Sequence, residues 1–298
     1  MEQKLLTFAD VYHMKLLREE PLSRHTTFQI GGPARFFALP DTAEQVCALL
    51  ELCREEDFHY AVIGNGSNLL VPDEGFEGVV IRMPEGELCW QDETTVTAEA
   101  GYLLARLSAA AAGKGLQGLT FAQGIPGTVG GGVVMNAGAY GGQIGDSLTE
   151  SICWTPEGIR RLSLAEHDFS YRHSVFNDHP DWVVLRSVFS LKKGDPETIA
   201  AEMADYAHRR REKQPLEWPS AGSTFKRPEG NFAGKLIEDT GLKGLTVGGA
   251  QVSEKHAGFV INVGGATCRD VCELMGQVED RVEARFGVRL EPEVRMLK

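Results

Sequence analysis

The sequence has no long apolar run and no excess of basic residues. About 18 consecutive apolar residues are needed to cross a membrane, and no segment reaches that length. Residues 1–20 are charged throughout and contain no signal-peptide core, so we expect a cytoplasmic protein. The net charge of −12 argues against general nucleic-acid binding. The net charge does not exclude a phosphorylated small molecule as a ligand, because local basic residues decide whether such a ligand binds.

Metal-ligand patterns are also missing. The six cysteines include no C-x-x-C pair, and Cys268 and Cys272 are spaced for one face of a helix rather than for a zinc knuckle. The eight histidines show neither H-x-x-x-H nor H-x-H spacing. The G-x-S-x-G motif of many hydrolases is absent as well. These absences predict buried, reduced thiols and no metal site.

The two standard nucleotide motifs are not present, although the chain contains 34 glycines. No G-x-G-x-x-G follows a strand, and no G-x-x-x-x-G-K-[ST] occurs, which argues against Rossmann and P-loop sites. Glycine nevertheless fills 8 of the 19 positions in "GIPGTVGGGVVMNAGAYGG", residues 124–142. This segment has almost no charge and keeps several large apolar residues, so it does not read as disordered. Its glycines predict a backbone that lies directly against a ligand.

A second glycine-containing loop follows the short strand "YAVIG" at residues 60–64. In "VIGNGSNLLV", small residues could present successive N–H groups to a diphosphate. Taken alone, an ordinary turn is the better interpretation of this loop. Together with residues 124–142, and with "TTFQIGGPARF" at 26–36, it favours a site for a long dinucleotide.

The order of predicted elements indicates two parts. The first part reads as α/β and includes a helix over 41–57, with Asp41 or Thr42 as its N-cap. A long helix over 195–215 begins near one proline and ends before another. After it come a short helix at 231–239, strands, a helix that stops at Gly287, and a final strand. We place a boundary near residues 192–200.

Three further segments carry candidate chemistry. "AGSTFKRP" places Ser223 in a defined loop, and "YRHSVF" places Arg172 beside an aromatic residue. "LEPEVRML" carries Glu291 and Glu293, which alternation directs to the same face of a strand. The alternatives are a turn with solvated basic residues, a salt-bridged arginine and a charged sheet edge. Taken alone, each of the three segments is better explained by its structural alternative than by a catalytic role.

The ordered set of these motifs resembles the UDP-N-acetylenolpyruvoylglucosamine reductase (MurB) family over nearly the whole chain, from about residue 23. The motifs are "TTFQIGGPARF", "VIGNGSNLLV", "GIPGTVGGGVVMNAGAYGG", "YRHSVF", "AGSTFKRP", "GFVINVGG" and "LEPEVR". The resemblance implies an α+β protein: an FAD-binding domain of the vanillyl-alcohol-oxidase (PCMH) type in two α/β subdomains, then an α+β substrate-binding domain. The implied ranges are 1–195 for the FAD-binding region, with a lead at 1–22 and subdomains at about 23–84 and 85–195, and 196–298 for the substrate-binding domain.

The resemblance also implies an activity. The family uses FAD, with NADPH as reductant, to convert UDP-N-acetylglucosamine enolpyruvate into UDP-N-acetylmuramate for peptidoglycan synthesis. We expect a monomer with this small-molecule substrate. Two rival hypotheses remain, an FAD-linked oxidase of the same flavin fold and a nucleotide-binding module without catalysis. The C-terminal motifs "AGSTFKRP" and "LEPEVR" argue against the oxidase, and the presence of Arg172, Ser223 and Glu293 argues against the binding module.

Site residues are implied position by position. Ser223 matches the family's proton donor, Arg172 its catalytic arginine and Glu293 its catalytic glutamate; Glu291 fits less well. The segment 124–142 is implied to lie against FAD, and 64–68 to hold its pyrophosphate. The cofactor-binding candidates are Gly64, Asn65, Gly66, Ser67, Asn68, Gly124, Ile125, Pro126, Gly127, Gly130, Gly131, Asn136, Ala137 and Gly138.

The chain departs from some family members in two respects. Arg227 stands where some members have asparagine. The segment between Arg172 and Ser223 is too compact for the substrate-capping tyrosine insertion that some members carry, so the chain resembles the shorter subclass. The candidates for neutralising the substrate's phosphates are Lys226, Arg227, Lys235 and Lys255.

Overall fold

The computed structural model describes residues 2–298, which fold into two compact units. Unit 1 comprises residues 2–17, 36–65 and 78–208; unit 2 comprises residues 18–35, 66–77 and 209–298. Both units are discontinuous, whereas the predicted ranges 1–195 and 196–298 are continuous. The assignment of those ranges to cofactor and substrate binding stays a prediction.

Helices and strands are mixed throughout residues 2–298. The α-helices are α1 (Glu2–Val11), α2 (Ala43–Glu55), α3 (Leu104–Gly113), α4 (Val129–Val134), α5 (Val175–Asp178), α6 (Pro196–Lys213), α7 (Ala233–Asp239) and α8 (Cys268–Phe286). The strands are β1 (Lys15–Pro21), β2 (Pro33–Leu39), β3 (Tyr60–Ile63), β4 (Leu69–Leu70), β5 (Phe76–Arg82), β6 (Leu88–Trp90), β7 (Thr95–Glu99), β8 (Leu116–Gln117), β9 (Gly138–Ala139), β10 (Gly142–Gln143), β11 (Leu148–Thr155), β12 (Gly158–Ser163), β13 (Val183–Ser190), β14 (Lys192–Lys193), β15 (Thr246–Val247), β16 (Ala250–Val252), β17 (Val260–Asn262) and β18 (Arg295–Met296).

Two sheets organise most of unit 1. A four-stranded sheet has the order β1-β2-β5-β3, with β3 parallel to β5, and an antiparallel five-stranded sheet has the order β12-β11-β13-β7-β6. Helix α1, inside the predicted lead, buries Leu5 and Ala9 in the same core as α2. That core also contains Trp154 of β11, whose indole donates to Glu51 Oε1 at 2.9 Å. A second apolar core lies between the five-stranded sheet, α3 and α4.

Unit 2 is built around α8. The helix buries Val271, Leu274 and Val278, and these residues pack with α7 and the small sheet β15-β16-β17. Strand β18 pairs in parallel with β4, so the end of the chain is joined to the segment 66–77. The predicted final strand is therefore much shorter than expected, and Glu291 and Glu293 precede it. Pro292 instead forms an isolated antiparallel bridge with Phe225, so residues 291–293 pair with a different segment from the one that pairs with β18.

The first turn of α8 is capped twice. Thr267 and Asp270 form a reciprocal capping box, and Asp73 accepts hydrogen bonds from the N–H groups of Cys268 (2.7 Å) and Arg269 (3.1 Å). No helix among residues 2–298 is long and apolar enough to cross a membrane.

The Asp73 cap gives a stability prediction. Asp73→Ala should lower the free energy of unfolding by about 1–2 kcal/mol, because two N–H groups at the start of α8 lose their acceptor. Urea unfolding followed by circular dichroism measures the change. Glu74→Ala is the matched control, since Glu74 is the adjacent exposed carboxylate. Equal midpoints for the two variants would show that Asp73 does not stabilise α8.

The prediction that all the thiols are buried is wrong for three of them. All six cysteines are free, but Cys89 and Cys272 are exposed and Cys47 is half-buried. The spacing of cysteines along the sequence does not report their exposure. Burial raises the pKa of Cys53 to about 12 and that of Cys153 to about 11, so neither is a reactive thiolate at neutral pH.

Candidate cofactor and catalytic site

The glycine-rich segment contains α4 and the hairpin β9-β10, so it forms regular structure as expected. Three consecutive glycines at 130–132 occupy this short helix. A Cβ atom on Gly130 would lie 2.9 Å from the Cβ atom of Ala100, and one on Gly132 would lie 3.2 Å from Leu104. Both of these glycines are buried, and the packing of the helix explains them.

Gly131 is different because it is exposed. A Cβ atom there would meet only the hydroxyl of Thr128, at an ordinary 3.6 Å. Glycine in a helix interior costs about 1 kcal/mol relative to alanine. Nothing in the fold requires that cost at this position. An exposed glycine backbone that the fold does not need fits a flat ligand lying against α4.

The two predicted glycine loops contact each other within unit 1. A Cβ atom on Gly64 would lie 2.4 Å from Thr128 Oγ1, so only glycine lets the end of β3 approach the start of α4. Asn65 then donates from its side-chain amide to the carbonyl of Pro126 at 2.6 Å. The structure therefore brings Gly64 and Asn65 to the segment that also contains Gly124, Ile125 and Gly127.

Thr128 was not among the predicted site residues. Its side chain accepts a hydrogen bond from the N–H of Gly131 at 3.4 Å and caps α4. A threonine directly before an apolar and glycine stretch is an N-cap signal. That signal could have identified the start of α4 from the sequence.

The rest of the 64–68 loop belongs to unit 2. Gly66 has a φ of +60°, and a Cβ atom there would lie 2.2 Å from the carbonyl of His25. Asn68 donates from its amide to the carbonyl of Glu293 at 3.0 Å. Ser67 lies between these two residues. The cofactor roles of Gly66, Ser67 and Asn68 stay predictions.

Asn136 is buried and links three parts of unit 1. Its amide donates to Gln143 Oε1 and to the carbonyl of Ser170, both at 3.0 Å, and its carbonyl oxygen accepts from the N–H of Gly145 at 3.0 Å. The two amide hydrogens are therefore used by the protein. The backbone N–H groups of Asn136 and Ala137 are also used within the protein, since they donate to the carbonyls of Val133 and Gly132. The cofactor roles of Asn136, Ala137 and Gly138 stay predictions.

Arg172 lies beside the glycine-rich hairpin. Its Nη2 donates to the carbonyl of Gly138 at 2.9 Å, and its guanidinium lies 5.1 Å from the ring centre of the half-exposed Tyr171. The backbone of Arg172 has a φ of +56°, which few residues other than glycine adopt. Such conformations cost energy and often mark functional positions.

Ser223 is exposed on a firmly held backbone in unit 2. The next residue, Thr224, is buried, and its N–H donates to the carbonyl of Gly258 at 2.9 Å. The hydroxyl of Thr224 accepts from the N–H of Val260 at 2.8 Å. The hydroxyl of Ser223 is thus presented at a fixed place on the surface of unit 2.

Glu293 is held beside the same backbone. Its N–H donates to the carbonyl of Thr224 at 2.8 Å, and its own carbonyl accepts from Asn68. Glu291 instead forms an ion pair with Lys226, with Nζ and Oε2 3.3 Å apart. The structure therefore brings Ser223 and Glu293 together in unit 2, whereas Arg172 belongs to unit 1.

The four phosphate-binding candidates each have a partner in unit 2. Besides the Lys226 pair, Arg227 places its guanidinium 4.4 Å from the ring centre of Phe232, and Lys235 pairs with Asp239. Lys255 donates to the carbonyl of Arg211 at 2.8 Å and lies 3.5 Å from Glu217. A bound phosphate would have to compete with these partners. The roles of the four residues stay predictions.

Among residues 2–298, no group of three His, Cys, Asp or Glu side chains is placed to hold a metal ion.

Comparison with known proteins adds family assignments to this geometry. The family described as "FAD binding domain" matches residues 34–163, and the family described as "UDP-N-acetylenolpyruvoylglucosamine reductase, C-terminal domain" matches residues 214–297. The first match includes Gly64, Asn65 and the segment 124–142. The second includes Ser223 and Glu293. Arg172 lies between the two matched ranges.

Individual relatives match over nearly the whole chain. UDP-N-acetylenolpyruvoylglucosamine reductase from Agathobacter rectalis is 50% identical over 95% of this chain and 94% of its own. The enzyme of the same name from Caldanaerobacter subterraneus subsp. tengcongensis is 45% identical over the same shares. The crystal structure of the Thermus caldophilus enzyme superposes with a TM-score of 0.80 at 36% identity, and it covers 96% of this chain and 99% of its own.

Proposed function

Because the chain belongs to the UDP-N-acetylenolpyruvoylglucosamine reductase family, we propose that it reduces the enolpyruvyl group of UDP-N-acetylglucosamine enolpyruvate with NADPH, through FAD. The product is UDP-N-acetylmuramate, a precursor of peptidoglycan. We place the reaction in the cytoplasm and assign it to a monomer.

The observation that carries the proposal is the exposed glycine backbone of α4. Gly131 faces away from the core, where the fold has no use for a glycine, and Gly64 and Asn65 pack onto the same segment through Thr128 and Pro126. These residues fit FAD, because a cofactor with a flat ring and a diphosphate needs the close backbone approach that glycine permits. FAD would be held here by the segment 124–131 together with Gly64 and Asn65.

FAD, when bound, would supply the hydride chemistry that connects NADPH to the substrate. The protein must then make the enol ether accept a hydride. Negative charge that develops next to the substrate carboxylate needs a cation or a hydrogen-bond donor. Arg172 is assigned the first role, and Glu293 the second, which requires its protonated form because an ionised carboxylate only accepts. The Oγ atom of Ser223 gives its proton to the carbon beside the carboxylate. NADPH, one proton and the enol ether thereby become NADP⁺ and the saturated lactyl ether.

Arg172 provides a test of the assigned charge stabilisation. Arg172→Lys keeps the positive charge but loses the planar fork that reaches the Gly138 carbonyl. We expect substrate reduction to slow by roughly 10²-fold, comparable to removing one preorganised donor, while reduction by NADPH stays within about twofold. Rapid-mixing absorbance at the flavin band measures both rates. Equal slowing of both steps would assign Arg172 to cofactor binding instead.

The reaction itself is tested by its product. Protein, NADPH and UDP-N-acetylglucosamine enolpyruvate are mixed without oxygen, and the UDP-sugar is analysed by mass spectrometry. The proposal predicts one NADPH consumed for each sugar that gains two hydrogens. No change in the sugar, with oxygen consumed when an alcohol is supplied in air, would instead support the FAD-linked oxidase.

A further inference from the structure

A half-buried imidazole in unit 2 lies beside the backbone that carries Ser223. His256 is in the turn between β16 and β17, and its Nδ1 accepts a hydrogen bond from the N–H of Gly258 at 3.0 Å. The same turn is closed by Phe259, whose N–H donates to the carbonyl of His256, and by the hydroxyl of Ser253. A backbone N–H can only donate, so Nδ1 carries no proton and Nε2 does.

Two glycines, Gly258 and Gly234, pack closely against this ring. A Cβ atom on Gly258 would lie 2.9 Å from Cε1 of His256, and one on Gly234, in α7, would lie 3.2 Å from the same atom. The ring also meets Phe259 edge to face, with ring centres 5.1 Å apart. The imidazole is therefore fixed in place by two separate elements and does not swing freely on the surface.

Backbone hydrogen bonds connect Gly258 to the residues assigned to catalysis. Gly258 donates its N–H to His256 and accepts with its carbonyl the N–H of Thr224. Thr224 in turn follows Ser223 and accepts the N–H of Glu293. A single residue, Gly258, thus separates the imidazole from the backbone that presents both side chains.

We propose that the neutral imidazole of His256 is a positioning residue, which holds Gly258 in the conformation that anchors Ser223 and Glu293. The imidazole touches neither substrate nor cofactor in this role. The effect of His256 on flavin reoxidation by the UDP-sugar rests on the proposed function. Its effect on the hydrogen exchange of the anchored backbone does not. Protonation of Nδ1 removes the acceptor, so the anchoring is expected to weaken at acidic pH.

Charged groups from three places face the ring: Lys213 of α6, Glu238 of α7, and Lys243 after α7. Burial is the largest influence and lowers the pKa of His256 below its ordinary value, and the two lysines act in the same direction against Glu238. A lowered pKa favours the neutral ring in the folded protein. The stability that the ring contributes is complete above the unfolded value of about 6.5 and is lost as the pH falls through the lower folded value.

The test separates the two half-reactions in the FAD-loaded protein. His256→Phe keeps a ring without an acceptor, whereas His256→Asn places a carbonyl oxygen near the position of Nδ1. We expect the phenylalanine variant to slow flavin reoxidation by the UDP-sugar by roughly 10- to 100-fold, with reduction by NADPH unchanged, because a small misplacement of a donor is costly. The asparagine variant should recover most of the rate, and it should lose the decline in rate that the wild type shows as the pH falls below about 6.5. His13→Asn, at an exposed histidine, is the control.

Hydrogen exchange gives a readout that needs no substrate. The amides of 222–226 should exchange faster in the phenylalanine variant than in the wild type, and the asparagine variant should restore their protection. Unchanged exchange and unchanged reoxidation in a folded phenylalanine variant would overturn the proposal. A wild-type protein that the UDP-sugar does not reoxidise would instead reject the proposed function, and the exchange data would still decide the role of His256.

Discussion

Replacing Ser223 with alanine is expected to leave reduction of the flavin by NADPH intact and to slow its reoxidation by the UDP-sugar by about 10²- to 10⁴-fold. The hydroxyl is exposed on a backbone that Thr224 anchors to Gly258, and it is the group assigned to protonate carbon. Loss of a positioned general acid costs a factor of this size. Rapid mixing without oxygen, with the two reactants added in turn, measures each step.

Ser220→Ala is the matched control for this variant. Ser220 lies in the same segment, and its hydroxyl accepts only a long 3.5 Å bond from the N–H of Gly222. Both half-reactions should keep their wild-type rates in this control. If Ser223→Ala also reoxidised at the wild-type rate, Ser223 would not be the proton donor, and another acid in unit 2 would have to replace it.

The second large effect concerns Gly131. Gly131→Leu should fold at least as stably as the wild type without cofactor, because the position is exposed, helical and free of close neighbours. FAD affinity should nevertheless fall. A side chain forced into a packed contact costs about 1–3 kcal/mol, or roughly 5- to 150-fold in Kd. Titration of apoprotein with FAD, followed by flavin fluorescence, measures the loss.

Gly113→Leu is the control for the added side chain. Gly113 is also an exposed helical glycine in unit 1, and nothing lies within 4 Å of the position its Cβ atom would take. Its variant should bind FAD like the wild type. Equal FAD affinity for the Gly131 and Gly113 variants would show that the flavin does not lie against α4.

Local signals predicted most individual elements. The helix expected over 41–57 is α2, and Thr42 is its N-cap through a bond to the N–H of Gln45. The helix expected over 195–215 is α6, which begins at Pro196 and ends before Pro215. Apolar periodicity, caps and prolines act within a few residues of one another, so one sequence is enough to read them.

Long-range pairing was not predictable in the same way. The segment 66–77 belongs with the last residues of the chain because β4 pairs with β18, and no local pattern reports that partner. The bond from Asn65 to Pro126 spans 61 residues. His256 had no recognisable partner in the sequence, since its contacts come from Gly258 and from Gly234 on another element.

The order of the motifs along the chain indicated the family and the cofactor, which no local pattern did. No single segment identified the cofactor, and the exposed Gly131 became distinguishable from its buried neighbours only once α4 was packed against Ala100 and Leu104. The sequence therefore identified the candidate residues. The packing then distinguished the glycines that the fold requires from the glycine that is available to a ligand.

The most direct test of the account is an anaerobic absorbance experiment on the purified protein. NADPH is added first and UDP-N-acetylglucosamine enolpyruvate second, while the visible flavin bands are recorded. The account predicts that NADPH bleaches these bands and that the UDP-sugar restores them. Bleaching without recovery would contradict the assigned substrate, and a protein that shows no flavin bands even after incubation with FAD would contradict the cofactor site at α4.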